Sequence, residues 1–342
     1  MSMKQTLFPL VASSFSYSGF NKLLTPKYGG QGTILMMHGV HQDQDKPVNK
    51  AGMISVSYLE AILKKIHHLG LIPARLHELP ELLNKNHKGR FVCLTFDDGY
   101  KNNLELAVAL LEKYRIPATI FITTGGMDGT LDYEWGGLEQ YLANSDEIKI
   151  GAYKLPAKSL EEKRRAYQKI SSAALADYEL WKPEFSGFFK ENGVDILALV
   201  RQGFLDREGV KALSASPMID IGGHTLSHPM LTKLSEDQAF QEIQKNKQDL
   251  EQLLEHEVPT FAYPYGGYPA CGEREFKLAK EAGYKVAVTT RAGSIHKKHK
   301  DHALALPRFA VNGLYETAPM LDMYFSGSMR ALRSRFGSPF VL

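Results

Sequence analysis

The chain has 342 residues, 44% hydrophobic and 23% charged, which fits one large domain with an insertion, or a domain plus a smaller one. A net charge of +3 without a basic, aromatic-laced stripe argues against nucleic acid, and no apolar run is long enough to make a stable membrane span. Cysteine occurs twice, and Cys93 lies inside an apolar run, so a buried free thiol is expected rather than a disulfide or a thiolate metal site.

From the N-terminus, MSMKQTLFPLVASSFSYSGF holds one lysine and a short apolar patch interrupted by Pro9. A secretory signal needs a longer apolar centre and a small-residue cleavage site, so residues 1–32 are read as an N-terminal extension and the protein as cytoplasmic. The run at 33–37 predicts a first strand, closed by His38, with His41 just beyond. GGQGT at 29–33 precedes that strand, whereas a phosphate-cradling loop would follow one. Leu59, Ile62, Leu63 and Ile66 recur at helical spacing within 57–69, and a short strand is expected at 71–74.

The next strand, 91–95, runs into Asp97-Asp98-Gly99 and is followed by a helix at 104–114 and a strand at 118–122. The alternation then fails between about 129 and 205, a helical, charged and aromatic stretch that holds both tryptophans, Trp135 and Trp181. It reads as an insertion between two strands, with Trp181, Phe185, Phe188 and Phe189 as its own core. Strands at 219–222, 260–263, 285–289 and 304–309, and a helix over 235–256, restore the rhythm. Strands that are apolar almost throughout, alternating with amphipathic helices, predict an α/β protein with a covered parallel sheet, either a barrel or an open sheet. Residues 316–342 read as a final helix and tail; their basic MRALRSRFGSPF is taken as solvated, with an anionic glycan or a membrane surface as the alternative contact.

Several strand ends carry polar residues for which a core has no use. Side chains alternate faces along a strand, so Asp97 and Asp98 reach one site only where the pleat breaks, as Gly99 allows. One carboxylate of such a pair can hold a cation while the other moves a proton; the plain alternative is an Asx turn. His224 and His228 lie four apart after a strand and a Gly-Gly turn. Two imidazoles and one carboxylate suit zinc, iron, nickel or cobalt and leave coordination positions open. Thr225 stands where a zincin would place its glutamate, so that motif is absent. Pro264-Tyr265-Gly266-Gly267 forms a sharp turn that either aims a backbone N–H at a reacting carbonyl or simply turns the chain. No G-x-S-x-G elbow supports a serine hydrolase.

Together these segments resemble the polysaccharide deacetylases of the NodB-homology type, carbohydrate esterase family 4. Thr95-Phe96-Asp97-Asp98-Gly99 matches the family's T-F-D-D-G, and His224-Thr225-Leu226-Ser227-His228-Pro229 matches H-[ST]-x-x-H-P, within a likeness over about residues 33 to 310. The resemblance implies a distorted (β/α)7-type barrel with a helical insertion, here a catalytic domain at 33–315. It also implies a divalent metal, usually zinc, on Asp98, His224 and His228, with Asp97 as general base and the Tyr265 N–H in the oxyanion hole.

Two motif positions depart from the family: Ala262 replaces the arginine of the third motif, and LALPRF holds no late Leu-x-His. FAYPYG and the early ILMMHGV are closer to a subgroup that includes poly-N-acetylglucosamine deacetylases, where an early histidine is the acid. His38 is therefore the expected acid and Arg308 the expected partner of Asp97. Pro264, Tyr265, Tyr133, Trp135 and Arg308 form the expected substrate-binding set, with Tyr133 and Trp135 stacking on pyranose faces. The expected activity releases acetate from the N-acetylated amino sugars of a glycan. The alternatives are a glycan-binding protein on a degenerate scaffold and a deacylase of an O-acetyl or non-sugar amide substrate.

Overall fold

Seven short parallel strands are laid side by side in a computed structural model that describes residues 3–85 and 89–342. Residues 1 and 2 of the expected extension and 86–88 of the expected catalytic domain lie outside the described residues. The strands are β1 (Gly32–Met37), β2 (Phe91–Phe96), β3 (Ala118–Ile122), β4 (Ile219–Gly223), β5 (Thr260–Ala262), β6 (Val286–Val288) and β7 (Phe309–Ala310). Their spatial order is β6-β5-β4-β3-β2-β1-β7, with Leu35 opposite Leu94 and Phe309, and Ile120 opposite Ile221. The outer strands are joined through the segment before β7, where Leu306 bridges Val288 in parallel and Arg308 N–H donates to the Arg291 carbonyl. Of the two arrangements that the alternation leaves open, this is the distorted α/β barrel that the resemblance implies.

Period-two alternation divides the strand side chains between two cores. Ile34, Phe91, Cys93, Phe121, Ala262 and Val288 pack together with Leu76, Leu79 and Leu83. Leu35, Met37, Val92, Leu94, Ile120, Ile221 and Phe261 pack instead with residues of the surrounding helices. Each such side chain contributes on the order of 1.5–3 kcal/mol by leaving water. Both cysteines are buried free thiols. The run expected at 71–74 shortens to Ile72–Pro73, a side strand on β2 outside the main path; Ile72 and Ala74 donate to the Arg90 and Val92 carbonyls, and Pro73 leaves the opposite edge without a donor.

Between β3 and β4 come the helices Glu134–Asn144, Leu160–Ala176, Tyr178–Glu191 and Ile196–Gly203, with an antiparallel hairpin of Glu147–Ile150 and Tyr153–Pro156. Trp181, Phe185, Phe188 and Phe189 form a core of their own there with Leu138, Leu142, Tyr167 and Ile170. At the ends of the chain, α1 (Met3–Tyr17) and α2 (Phe20–Tyr28) pack on α4 (Ala318–Ser326), and α2 also packs on α5 (Ser328–Arg333). The helix α3 (Glu236–Leu254) covers β4; Ser235 caps it by accepting the Gln238 N–H, reciprocated by the Gln238 side chain.

Candidate metal centre and active site

The polar residues singled out in the sequence follow β1, β2, β4 and β5 at their C-terminal ends. After β2 the Asp97 N–H still bonds to the Met37 carbonyl, but Asp98 turns to φ 79° and Gly99 to φ 81°. That break lets neighbouring carboxylates enter one site. Gly222 and Gly223, expected to form a turn, instead complete β4, with Gly223 paired to Phe261. Their lack of side chains permits close approach: a Cβ on Gly223 would lie 2.0 Å from the Tyr284 hydroxyl.

Asp98, His224 and His228 converge, with one potential ligand atom from each within 4.8 Å of the others. His224 Nδ1–H donates to the Ala262 carbonyl at 2.7 Å, which leaves the Nε2 lone pair facing Asp98 Oδ1 at 3.4 Å. His228 Nε2 faces the same oxygen at 3.5 Å. Asp98 Oδ1 is buried and has no hydrogen-bond partner among the described residues. A carboxylate oxygen left so is costly unless a cation meets it, and an imidazole–imidazole–carboxylate donor set fits a divalent transition metal. Burial pushes His228 down to about 4, so it stays in the neutral form that ligates. Burial also works to lower His224, yet Asp98 and Asp97 raise it overall, a sign of the negative potential in which the cation would sit.

Asp97 is held differently. Arg308 donates to both its oxygens, Nη1 to Oδ1 at 2.7 Å and Nη2 to Oδ2 at 2.8 Å. The guanidinium is fixed in turn by Thr95 Oγ1 and the Thr289 carbonyl, each at 3.0 Å. Burial alone would raise the Asp97 carboxyl, but Arg308 and then His224 hold it below its usual value. Arg308 is 0% exposed and Pro264 is buried, so neither offers surface to a substrate. Both stand in the expected substrate-binding set; Arg308 makes the pairing with Asp97 that is also expected of it, and Pro264 lies in the turn that carries Tyr265.

His38 is half-buried after β1, close enough for its charge to act on Asp97, Asp98 and His228. Tyr265 adopts φ 60°, its ring lies 4.9 Å from the His228 ring, and its backbone N–H has no acceptor among the described residues. A small cavity beside Asp98 and His228 is walled by Tyr133, Trp135, Tyr265, Tyr100 and Phe204. Trp135 and Tyr265 also wall a larger adjoining groove that runs to Lys50, Arg164 and Tyr315.

The support beneath the histidines was not anticipated. Asn246, fully buried on α3, accepts the His224 N–H at 3.0 Å and donates to the carbonyls of Ile122 and Thr225 at 3.0 and 2.8 Å. One turn earlier, Glu242 accepts the N–H groups of Leu226 and Ser227 and the Ser227 hydroxyl. Thr225 Oγ1 accepts the His228 N–H at 3.0 Å. One signal was present in the sequence: Asn246 and Lys247 interrupt the apolar stripe of Ala239, Ile243 and Leu250, and both are buried.

A model of the polysaccharide deacetylase family matches residues 84–287, more than half of the chain. The Bacillus subtilis protein YxkH is 23% identical over 273 residues, covering 79% of this chain and 68% of that one. Among solved structures, the Streptococcus pyogenes deacetylase PplD superposes with TM-score 0.56 at 19% identity, covering 84% of this chain and 95% of that one. IcaB from Ammonifex degensii gives TM-score 0.56 at 16% identity, covering 87% of this chain and 98% of that one. With its family motifs converging at one end of a barrel of this kind, the chain belongs to the polysaccharide deacetylase family.

Proposed function

We propose that the protein is a metal-dependent hydrolase that removes acetyl groups from N-acetylated amino sugars of a glycan, with residues 33–315 as its catalytic domain and 129–205 as an insertion walling the substrate cavity. The observation that carries this reading is the pairing of adjacent carboxylates with opposite surroundings. Asp98 Oδ1 is buried, free of hydrogen bonds and faced by imidazole nitrogens at 3.4 and 3.5 Å, while Asp97 is clamped by an arginine. Asp98, His224 and His228 would hold the divalent ion, zinc in this proposal, which supplies Lewis acidity toward a carbonyl oxygen and lowers the pKa of a bound water.

The remaining work falls to the chain. Asp97, kept ionised by Arg308, takes a proton from the attacking water as its oxygen bonds to the acyl carbon. The unpaired Tyr265 N–H is the proposed donor to the developing oxyanion, a contribution on the order of 3 kcal/mol. His38 gives a proton to the nitrogen as the C–N bond breaks, so acetate and a free amino sugar leave. Tyr133 and Trp135 supply flat walls for the sugar rings. The FAYPYG turn and the histidine after β1 favour the subgroup that includes poly-N-acetylglucosamine deacetylases.

The test is acetate release from N-acetylglucosamine oligomers and from O-acetylated glycans, with and without a chelator. Release from the N-acetylated oligomers, abolished by chelation and restored by zinc, is expected. Release only from the O-acetylated substrates would move the activity to esters. No release from any substrate by metal-loaded protein would leave a glycan-binding role on the same scaffold.

A further inference from the structure

The basic C-terminal stretch and the N-terminal helices take no part in the site, yet they form one surface of unusual composition. Residues 1–42 and 323–342 contain six of the 41 basic residues and none of the 38 acidic ones. These segments carry +6, and the remainder of the chain carries −3. The fold brings them together: α2 packs on α4 and α5, and the Tyr28 hydroxyl donates to the Gly337 carbonyl at 3.0 Å. The one acid among the packed helices that the two ends contribute to, Asp322 of α4, is neutralised by Lys65 at 2.6 Å, so the cluster assembled from opposite ends of the chain keeps a net positive charge, directed at an anionic partner.

The same surface is greasy. Tyr17 and Leu23 are the most exposed large hydrophobic side chains among the described residues, at 86% and 75%, and Leu10 is 63% exposed. Phe336 joins them from a turn in which both it and Arg335 take positive φ, at 61° and 50°, a backbone that disfavours both residue types. Phe20 links the segments, its ring 4.8 Å from that of Phe15 and 6.4 Å from that of Phe336, and Lys22, Lys27, Arg333 and Arg335 are exposed on α2, α5 and the turn after it. The inner faces of these helices are already satisfied, since Ala12, Tyr28, Met329 and Ala331 are buried. Among the described residues no helix is long and apolar enough to cross a membrane.

We infer that this surface docks the protein peripherally on an anionic lipid bilayer, with Leu10, Tyr17, Leu23 and Phe336 entering the headgroup boundary and the lysines and arginines meeting the lipid phosphates. A soluble polyanion would need the charge but not the exposed apolar side chains; a second copy of the chain would present the same positive charge and be repelled. The bilayer alone uses both features. The surface also lies near the approach to the site, because Phe8 of α1 packs 5.7 Å from Tyr315, which walls the groove shared with Trp135 and Tyr265.

The experiment is vesicle flotation of the full chain with phosphatidylglycerol-containing or pure phosphatidylcholine vesicles. The wild type floats with the anionic vesicles only, and less so as salt rises from about 0.05 to about 0.5 M. Each basic residue near such a surface strengthens binding about fivefold, so Lys22→Gln, Lys27→Gln, Arg333→Gln and Arg335→Gln together weaken it at least about a hundredfold. Tyr17→Ser with Phe336→Ser also weakens flotation but leaves adsorption to a soluble polyanion unchanged. Unaltered thermal unfolding of both variants shows that they fold. Failure to float with anionic vesicles at low salt, undiminished flotation of the quadruple variant, or a dimer broken by Phe336→Ser without vesicle binding would each overturn the inference.

Discussion

Asp98, Thr225, His228 and Tyr265 all hold φ between 57° and 79°, a region that costs a non-glycine residue on the order of 1–3 kcal/mol. The other positive-φ non-glycine residues sit elsewhere: Arg115 and Glu255 end helices, and Arg335 and Phe336 lie in the C-terminal turn. Strain concentrated around one candidate cation site is what function would keep and stability alone would remove. Arg308 shows the same priority, a fully buried cation whose reason for being there is Asp97. Arg308→Met is expected to destabilise the fold by about 3–5 kcal/mol in urea unfolding, because it strands a buried carboxylate. Adding Asp97→Asn should recover much of that loss without restoring activity. His38→Ala tests the acid: metal content is retained, and turnover falls more on an N-acetyl amide than on an activated aryl acetate, whose leaving group needs no proton. Equal losses on both substrates would remove His38 from that role.

The elements matter chiefly for what they carry to the barrel mouth. Short parallel strands deliver His38, Asp97, Asp98, His224 and Tyr265 there, while α3 locks the histidine loop from outside through Glu242 and Asn246, one turn apart. Asn246→Ala removes the acceptor for the His224 N–H and the donor for two carbonyls, so three backbone groups lose a buried partner. Metal affinity should fall roughly 10–100-fold, the range typical of groups that orient a ligand, and equilibrium dialysis against zinc would measure it. Asn246→Ser, which keeps a donor and an acceptor, should recover part of the affinity, whereas a purely structural role would lower the melting temperature and leave zinc affinity alone.

Across the whole molecule, the C-terminal tail is tied to the barrel through a neutral histidine pair. His299 Nε2–H donates to the Val341 carbonyl at 2.9 Å, and its Nδ1 accepts the His296 N–H at 2.9 Å. Burial, with His299 beside it, pushes His296 down to about 4. An unfolded histidine titrates near 6.5, so between these values the unfolded chain binds the proton and the fold does not. This contribution is therefore complete above about pH 6.5 and is lost as pH falls toward 4. His77, raised by its hydrogen bond to Asp220, works in the opposite direction. Melting temperatures of wild type and His296→Gln, compared from pH 7 to 4, should show the shallower decline in the variant; parallel curves would refute the assignment. Much of the architecture was legible in the chain because apolar period and breaker residues are local: runs at 33–37, 91–95, 118–122 and 219–222 became strands within a residue or so. Asp97, Asp98, His224 and His228 were legible because each closes such a run with polar groups that a core rejects. What only the folded state could decide is who touches whom. The burial of Arg308, the reach of Asn246 and the meeting of the acid-free ends all join residues more than twenty positions apart. A polar side chain's partner depends on which surfaces the barrel brings together, and no local period encodes that.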